Sequence, residues 1–141
     1  MQTLKIRDVM TPQVELIDSH AVLVEAARKM RDHDIGALPV EKNDKMIGMI
    51  TDRDVAIRAV AESKDPLTET VENSMTGGIE YCFDDQPIGE ISEMMSAKQL
   101  RRLPVVDRDK KLVGIVSLGD LSQKASSSEA AEVLEHISEP Q

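Results

Sequence analysis

ALPVEKNDKMIGMITDRDV at residues 37–55 and RLPVVDRDKKLVGIVSLGDL at 102–121 are two spellings of one pattern. Each opens on a Leu-Pro-Val step, crosses a short polar stretch, runs on through an apolar segment with a central glycine, and closes on a hydroxyl residue three positions before an aspartate. The duplication continues outward. DVMTP (8–12) is answered by NSMTG (73–77), and DIGALPV (34–40) by LRRLPVV (100–106). Met10 to Met75, Met30 to Met95 and Pro39 to Pro104 are each offset by 65 residues, whereas Gly48 to Gly114 and Asp54 to Asp120 are offset by 66. One residue inserted in the polar stretch accounts for the change. Four blocks in the same order at nearly constant spacing mark an internal repeat, which must be read before any single motif.

Each repeat reads as the same run of elements. A short strand after the Met-Thr block (Val14 to Ile17; Ile79 to Cys82) leads into a helix starting near Ser19 or Asp85. In the first helix Val22, Leu23, Ala26, Ala27 and Met30 form one apolar face at the helical period; in the second Pro87 suits the first turn, and Ile88, Ile91, Met94 and Met95 make the face. Two strands follow, Leu38 to Glu41 with Met46 to Thr51, and Leu103 to Val106 with Leu112 to Ser117, joined by polar hairpin turns. A last helix runs from Asp52 to Glu62, with a shorter one from Leu118. The expected fold class is α+β (mixed α/β), built of two β-α-β-β-α units. One small sheet offers a marginal core, so the two units are expected to pack sheet against sheet. The expected segments are 1–62 and 73–123 for the units, 63–72 (SKDPLTETVE within its bounds) for a linker, and 124–141 for a tail with a helix from Glu129 to Ile137.

Composition narrows the function. The chain has 141 residues, 40% hydrophobic and 30% charged, the balance of a soluble globular protein. It has no Trp and one each of Tyr and Phe, so a platform for stacking single-stranded nucleic acid is excluded and any flat ligand must lie between aliphatic walls. Both rings, Tyr81 and Phe83, fall at the first strand of the second repeat, where the first repeat has Leu16 and Asp18. The net charge of −9 opposes nucleic acid and anionic membranes as partners. A lone cysteine, Cys82, leaves no internal disulfide framework, and no apolar run approaches the roughly 20 residues of a membrane span. With no signal-peptide core at the N-terminus, the expected location is the cytoplasm.

The candidate chemistry sits at GMITDRD (48–54) and GIVSLGD (114–120). Thr51 with Asp54 and Ser117 with Asp120 have the spacing of a capping box, in which each side chain satisfies a free backbone N–H. The same geometry presents N–H groups to a phosphate, and a carboxylate beside it can accept two hydrogen bonds from a ribose diol. Arg53 lies in the first turn, and Arg101-Arg102 precede Leu103-Pro104 in an otherwise acidic chain; these read either as a solvated cationic edge or as an arginine fork for phosphate. Gly36 and Ala37 occupy the places of Arg101 and Arg102 in the first repeat, so the two halves should differ. Catalytic candidates are thin: Cys82 lies on an apolar strand, and His20, His33 and His136 are scattered. No zinc spacing, EF-hand, Walker or GxGxxG pattern occurs, so neither a metal site nor an enzyme is expected.

With their preceding Met-Thr elements and amphipathic helices, these blocks resemble tandem CBS domains, named after cystathionine β-synthase, over roughly residues 5–123; the tail EVLEHISEP is similar to that of small bacterial stand-alone CBS-pair proteins. The resemblance implies a pseudo-twofold pair, a Bateman module, with two clefts for adenosine-containing ligands such as AMP, ADP, ATP, NAD or S-adenosylmethionine, and further assembly into disc-like homodimers. Carried over by position, one cleft takes Thr51, Arg53 and Asp54 with Ile79, Arg101, Arg102, Leu103 and Pro104, Asp54 holding ribose and Arg53, Arg102 and Thr51 holding phosphate. The other takes Ser117 and Asp120 with Thr11, Val14, Ile35, Gly36, Ala37 and Pro39. It has Gly119 in place of Arg53 and Ala37 in place of Arg102, which implies a less charged ligand, weaker binding or none. The implied role is a ligand-sensing regulator of a protein partner; the alternative is a ligand-free interaction module acting through its faces and acidic tail.

Overall fold

The computed structural model describes residues 4–12 and 15–122. Its elements are α1 (Ile6–Val9), β1 (Thr11–Pro12), β2 (Ile17–Asp18), α2 (Leu23–His33), β3 (Ala37–Lys42), β4 (Lys45–Thr51), α3 (Asp52–Asp54), a π-helical segment Val55–Val60, α4 (Val71–Ser74), β5 (Thr76–Gly77), β6 (Cys82–Phe83), α5 (Ile88–Lys98), β7 (Arg102–Val106) and β8 (Leu112–Ser117). A final helical turn spans 118–122. The mixed α+β class expected from the pattern is what forms, with two four-stranded sheets ordered β2-β3-β4-β5 and β1-β8-β7-β6. The expected tail helix, Glu129 to Ile137, lies outside the described residues.

The repeat is visible in the backbone of the long helices. α2 and α5 are both 11 residues long, at an offset of 65, and each ends on a left-handed residue, Asp34 (φ 52°) and Gln99 (φ 57°). The β3–β4 hairpin closes through Asn43 and Asp44, both with positive φ, the conformation a two-residue hairpin turn needs and Asn and Asp tolerate. The second repeat joins β7 to β8 through the longer 107–111. Pro39 and Pro104 sit inside strands without breaking a ladder, because the parallel neighbour begins one residue later, at Ile17↔Val40 and Cys82↔Val105.

The first strand and the long helix of each repeat start later than expected from the pattern. β2 occupies Ile17–Asp18 rather than Val14 to Ile17, and β6 Cys82–Phe83 rather than Ile79 to Cys82. The Ser19 and Asp84 N–H groups then donate to the Glu41 and Val106 carbonyls, at 2.9 and 3.0 Å, which carries the parallel ladder on and delays the helices to Leu23 and Ile88. The helix expected from Asp52 to Glu62 ends at Val60, with a turn at 61–63, and passes from α to π geometry at Val55.

The compact units are not contiguous segments. Residues 15–79 with 109–112 form one, here the first-repeat unit; residues 4–12, 80–108 and 113–122 form the other, the second-repeat unit. The stretch 63–72, expected as a linker, is therefore held within the first-repeat unit. Neither α2 nor α5 has a side-chain cap, and the first-turn donors of α2 are satisfied instead by this stretch: Leu23 N–H donates to Glu69 O at 2.9 Å and Val24 N–H to Pro66 O at 3.0 Å. The N-terminal segment does the same for α5, Leu4 O accepting from Ile88 N–H at 3.1 Å. Behind these caps α4 and β5 complete the first-repeat unit as α1 and β1 complete the second, with Val71 in one core and Ile6 and Val9 in the other, all at 0% exposure.

The two aliphatic cores correspond position by position, with compensating sizes. Ile17, Ala26, Met30, Leu38, Val40 and Ile50 in one stand where Cys82, Ile91, Met95, Leu103, Val105 and Val116 stand in the other. Ala27, expected on the buried face of α2, points to solvent.

Candidate functional site

Each repeat ends its hairpin in a strand-to-helix turn where a hydroxyl and a carboxylate hold one another. In the first-repeat unit Asp54 N–H donates to Thr51 Oγ1 at 3.1 Å, and Thr51 N–H donates to Asp54 Oδ2 at 3.0 Å. In the second-repeat unit Asp120 N–H donates to Ser117 Oγ at 3.0 Å, and Ser117 N–H to Asp120 Oδ2 at 3.2 Å. The chain reaches each turn in the same way, Asp52 N–H donating to Gly36 O at 2.9 Å and Leu118 N–H to Arg101 O at 3.0 Å. These are the reciprocal bonds of a capping box, so the structural half of the expectation holds in both units.

The Asp54 carboxylate has further neighbours. Thr76 Oγ1 donates to its Oδ1 at 3.4 Å, and Arg58 Nε lies 3.7 Å from the same oxygen while Arg58 Nη1 donates to Met75 O at 3.1 Å. Only 13% of the Asp54 side chain is exposed, whereas Arg58 is half exposed. Neither Thr76 nor Arg58 is among the site residues expected from the sequence. The offset of 65 that carries Thr11 into one residue set carries Thr76 into the other; Arg58 lies four residues beyond Asp54, outside the motif.

The remaining expected residues divide between the units. Thr51, Arg53, Asp54, Ile79, Ile35, Gly36, Ala37 and Pro39 belong to the first-repeat unit. Thr11, Arg101, Arg102, Leu103, Pro104, Ser117 and Asp120 belong to the second; Val14 lies outside the described residues. Within a unit, Thr11 pairs with Ile115 on β8, next to the Ser117 end of that strand, as Thr76 pairs with Met49 near Thr51. Pro39, Leu103 and Pro104 are buried and Ile35, Ala37 and Ile79 half-buried. Arg53, Arg101 and Arg102 are exposed, with no side-chain partner among the described residues. Lys98, by contrast, is tied to Glu80 at 2.6 Å.

The glycines of both turns' strands have a packing role. A Cβ on Gly48 would stand 2.5 Å from Thr76 O and 3.1 Å from Met75 Sδ; one on Gly114 would stand 2.7 Å from Thr11 O and 2.6 Å from Met10 Sδ. The Met-Thr and Gly blocks therefore recur together because the first lies directly on the second.

Cys82 is 1% exposed, and burial, with the Asp84 charge as a lesser cause, pushes its thiol up to about 12, so it holds its proton and is no nucleophile at neutral pH. His20 faces Asp18 at 3.5 Å and His33 faces Glu15 at 3.1 Å, while His136 lies outside the described residues. No group of three or more His, Cys, Asp or Glu that could hold a metal ion occurs among the described residues, and no described helix is long and apolar enough to cross a membrane.

The family model for the CBS domain matches twice, at residues 6–60 and 69–127. The CBS domain-containing protein YhcV of Bacillus subtilis is 37% identical over 129 residues, covering 89% of each chain. Among solved structures, Hypoxic Response Protein I with two coordinated zinc ions superposes with a TM-score of 0.74 at 38% identity, over 85% of this chain and 98% of that one. The CBS domain pair of protein MJ0100, solved in complex with 5′-methylthioadenosine and S-adenosyl-L-methionine, gives 0.68 at 27% identity, over 89% of this chain and 98% of that one. Two matched segments, two repeated sheets and two capped Asp-bearing turns agree: the chain belongs to the CBS domain family, as a tandem pair.

Proposed function

We propose that the chain is a regulatory module that binds an adenosine-containing ligand, using Asp54 and Asp120 for the ribose. The observation that carries this reading is the duplicated turn, which holds a carboxylate and a hydroxyl in the same hydrogen-bonded arrangement at the same repeat position. The complex of protein MJ0100 with two adenosine compounds supports the ligand class. In this reading Thr51, Arg53 and Arg102 meet the phosphates, and Ile79, Leu103 and Pro104, with Arg101 beside them, line the rest of the same site. Ser117 and Asp120, with Thr11, Val14, Ile35, Gly36, Ala37 and Pro39, take the less charged ligand, since Gly119 and Ala37 replace two arginines. AMP, ADP, ATP, NAD and S-adenosylmethionine are the candidates. Ligand acts by binding one of two protein states more tightly than the other, and the state is read by a protein partner in the cytoplasm. Homodimer formation belongs to the same proposal; Ile57 and Val60, exposed at 47% and 63% on the π-helical segment, are the apolar surface that supports it.

One observation favours a second reading, a ligand-free interaction module: the Asp54 carboxylate already accepts from Thr51 and Thr76 and faces Arg58. Isothermal titration with the five candidates separates the two. Saturable binding that weakens about tenfold or more in Asp54→Ala, with a weaker event lost in Asp120→Ala, supports the sensor. Absence of binding by all five at about 1 mM sinks it, and isotherms unchanged in both variants overturn the residue assignment.

A further inference from the structure

The chain's two aromatic side chains stand together in the second-repeat unit. Tyr81 and Phe83 meet edge to face, with ring centroids 5.7 Å apart. They line a cavity of about 370 Å³, with Ile91 and Met94 as its other apolar surface and Glu80 and Glu90 as its carboxylates. None of these residues belongs to the Asp54 or Asp120 turns.

The first-repeat unit shows what chemistry this place in the fold takes. At the offset of 65, Glu15 corresponds to Glu80, Leu16 to Tyr81, Lys29 to Met94 and His33 to Lys98. Glu15 there faces two basic side chains, His33 with Nε2 at 3.1 Å and Lys29 with Nζ at 3.7 Å. The Lys29 ammonium also donates to Leu16 O at 2.6 Å, so it lies across the groove between the helix and the edge strand. The second-repeat unit has Lys98 at the His33 position, 2.6 Å from Glu80, and replaces Lys29 with a thioether. Asp18 gives way to Phe83 at the same time, so rings and a cavity stand where the sister unit places its own ammonium.

We propose that this cavity binds a small organic ammonium carrying an apolar tail. The cation takes the place that Lys29 holds in the first repeat, toward Glu80 and Glu90, and the tail packs on Tyr81, Phe83, Ile91 and Met94. The Phe83 face already carries the Arg108 guanidinium, 4.0 Å from its centroid, and Gln86 Nε2 donates to Glu90 at 2.8 Å, so the attraction for an ammonium comes from the carboxylates, the tail buries apolar area, and a net charge of −9 raises the local concentration of cations. Recognition is by charge and shape, independent of any nucleotide.

Titration of the full chain with 2-phenylethylamine, and with 2-phenylethanol as its uncharged counterpart, tests this by calorimetry and by amide chemical shifts. The amine is expected to saturate, to shift the amides around Tyr81 and Phe83, and to bind about tenfold or more tighter than the alcohol. Met94→Lys, which rebuilds the first repeat's ammonium, should weaken the amine by about tenfold or more and leave nucleotide titrations as they were. The double variant Glu80→Gln with Glu90→Gln reads the same charge requirement should Met94→Lys fold poorly. No saturation by about 20 mM, equal affinity for amine and alcohol, or an affinity indifferent to these substitutions overturns the proposal.

Discussion

Gly48 and Gly114 carry more of this fold than their size suggests, because the carbonyl and thioether of a Met-Thr segment lie directly on them. A methyl group at either position must push back backbone, not only a flexible side-chain end. Gly48→Ala and Gly114→Ala are each expected to cost about 1–3 kcal/mol by loosening β5 or β1 from its sheet, measured by denaturant unfolding. Cys82 makes an opposite kind of residue-scale statement. Its folded thiol titrates near 12 against about 9 when unfolded, so the folded chain holds a proton that the unfolded chain gives up. Stability from this group is complete below pH 9 and falls as pH rises from 9 toward 12, a loss that Cys82→Ala should remove from the pH dependence of the melting temperature. Alkylation at pH 8 should proceed only as fast as the chain opens. The burial of Cys82 was legible in its apolar neighbours; the contact behind each glycine was not, because two residues 28 apart, such as Gly48 and Thr76, announce nothing of it by periodicity.

At the scale of elements, the helices and hairpins follow from local pattern. The apolar face placed α2 and α5, and the two apolar runs placed β3, β4, β7 and β8 to within a residue at each end. Where each helix ends was decided by an αL residue that is not glycine. Asp34 and Gln99 hold φ of 52° and 57°, conformations that glycine adopts without strain. Asp34→Gly and Gln99→Gly are therefore each expected to stabilise the chain by about 0.5–1 kcal/mol, checked by calorimetric melting; a fall in melting temperature for both would show the caps to be unstrained. Helix starts were less legible. Val22 and Pro87 are not side-chain caps, and the carbonyls that satisfy the first turns come from residues 66–69 and from Leu4, far along the chain.

At the scale of the whole molecule, the N-terminal segment belongs to the second-repeat unit and the 63–79 stretch to the first. Removing residues 1–12 should therefore damage the distant half. It takes Ile6, Val9 and β1 from the second-repeat core, a loss of about 3–6 kcal/mol from the two aliphatic side chains alone. Hydrogen exchange is expected to rise across 80–122 while amides of α2, β3 and β4 keep their protection; the reverse pattern would contradict the division. The sequence by itself determined the repeat, the order of elements, the aliphatic make-up of the cores and the hydroxyl-to-aspartate spacing of the candidate turns, because each is written in local spacing that helix and strand periods translate directly. Only the tertiary structure decided which short segment completes which sheet, that Thr76 and Arg58 attend Asp54, and that Tyr81 and Phe83 line a cavity. β1 and β5 are two residues long, too short to carry an alternation of their own, and such pairings are selected by the surface they bury and the backbone groups they satisfy.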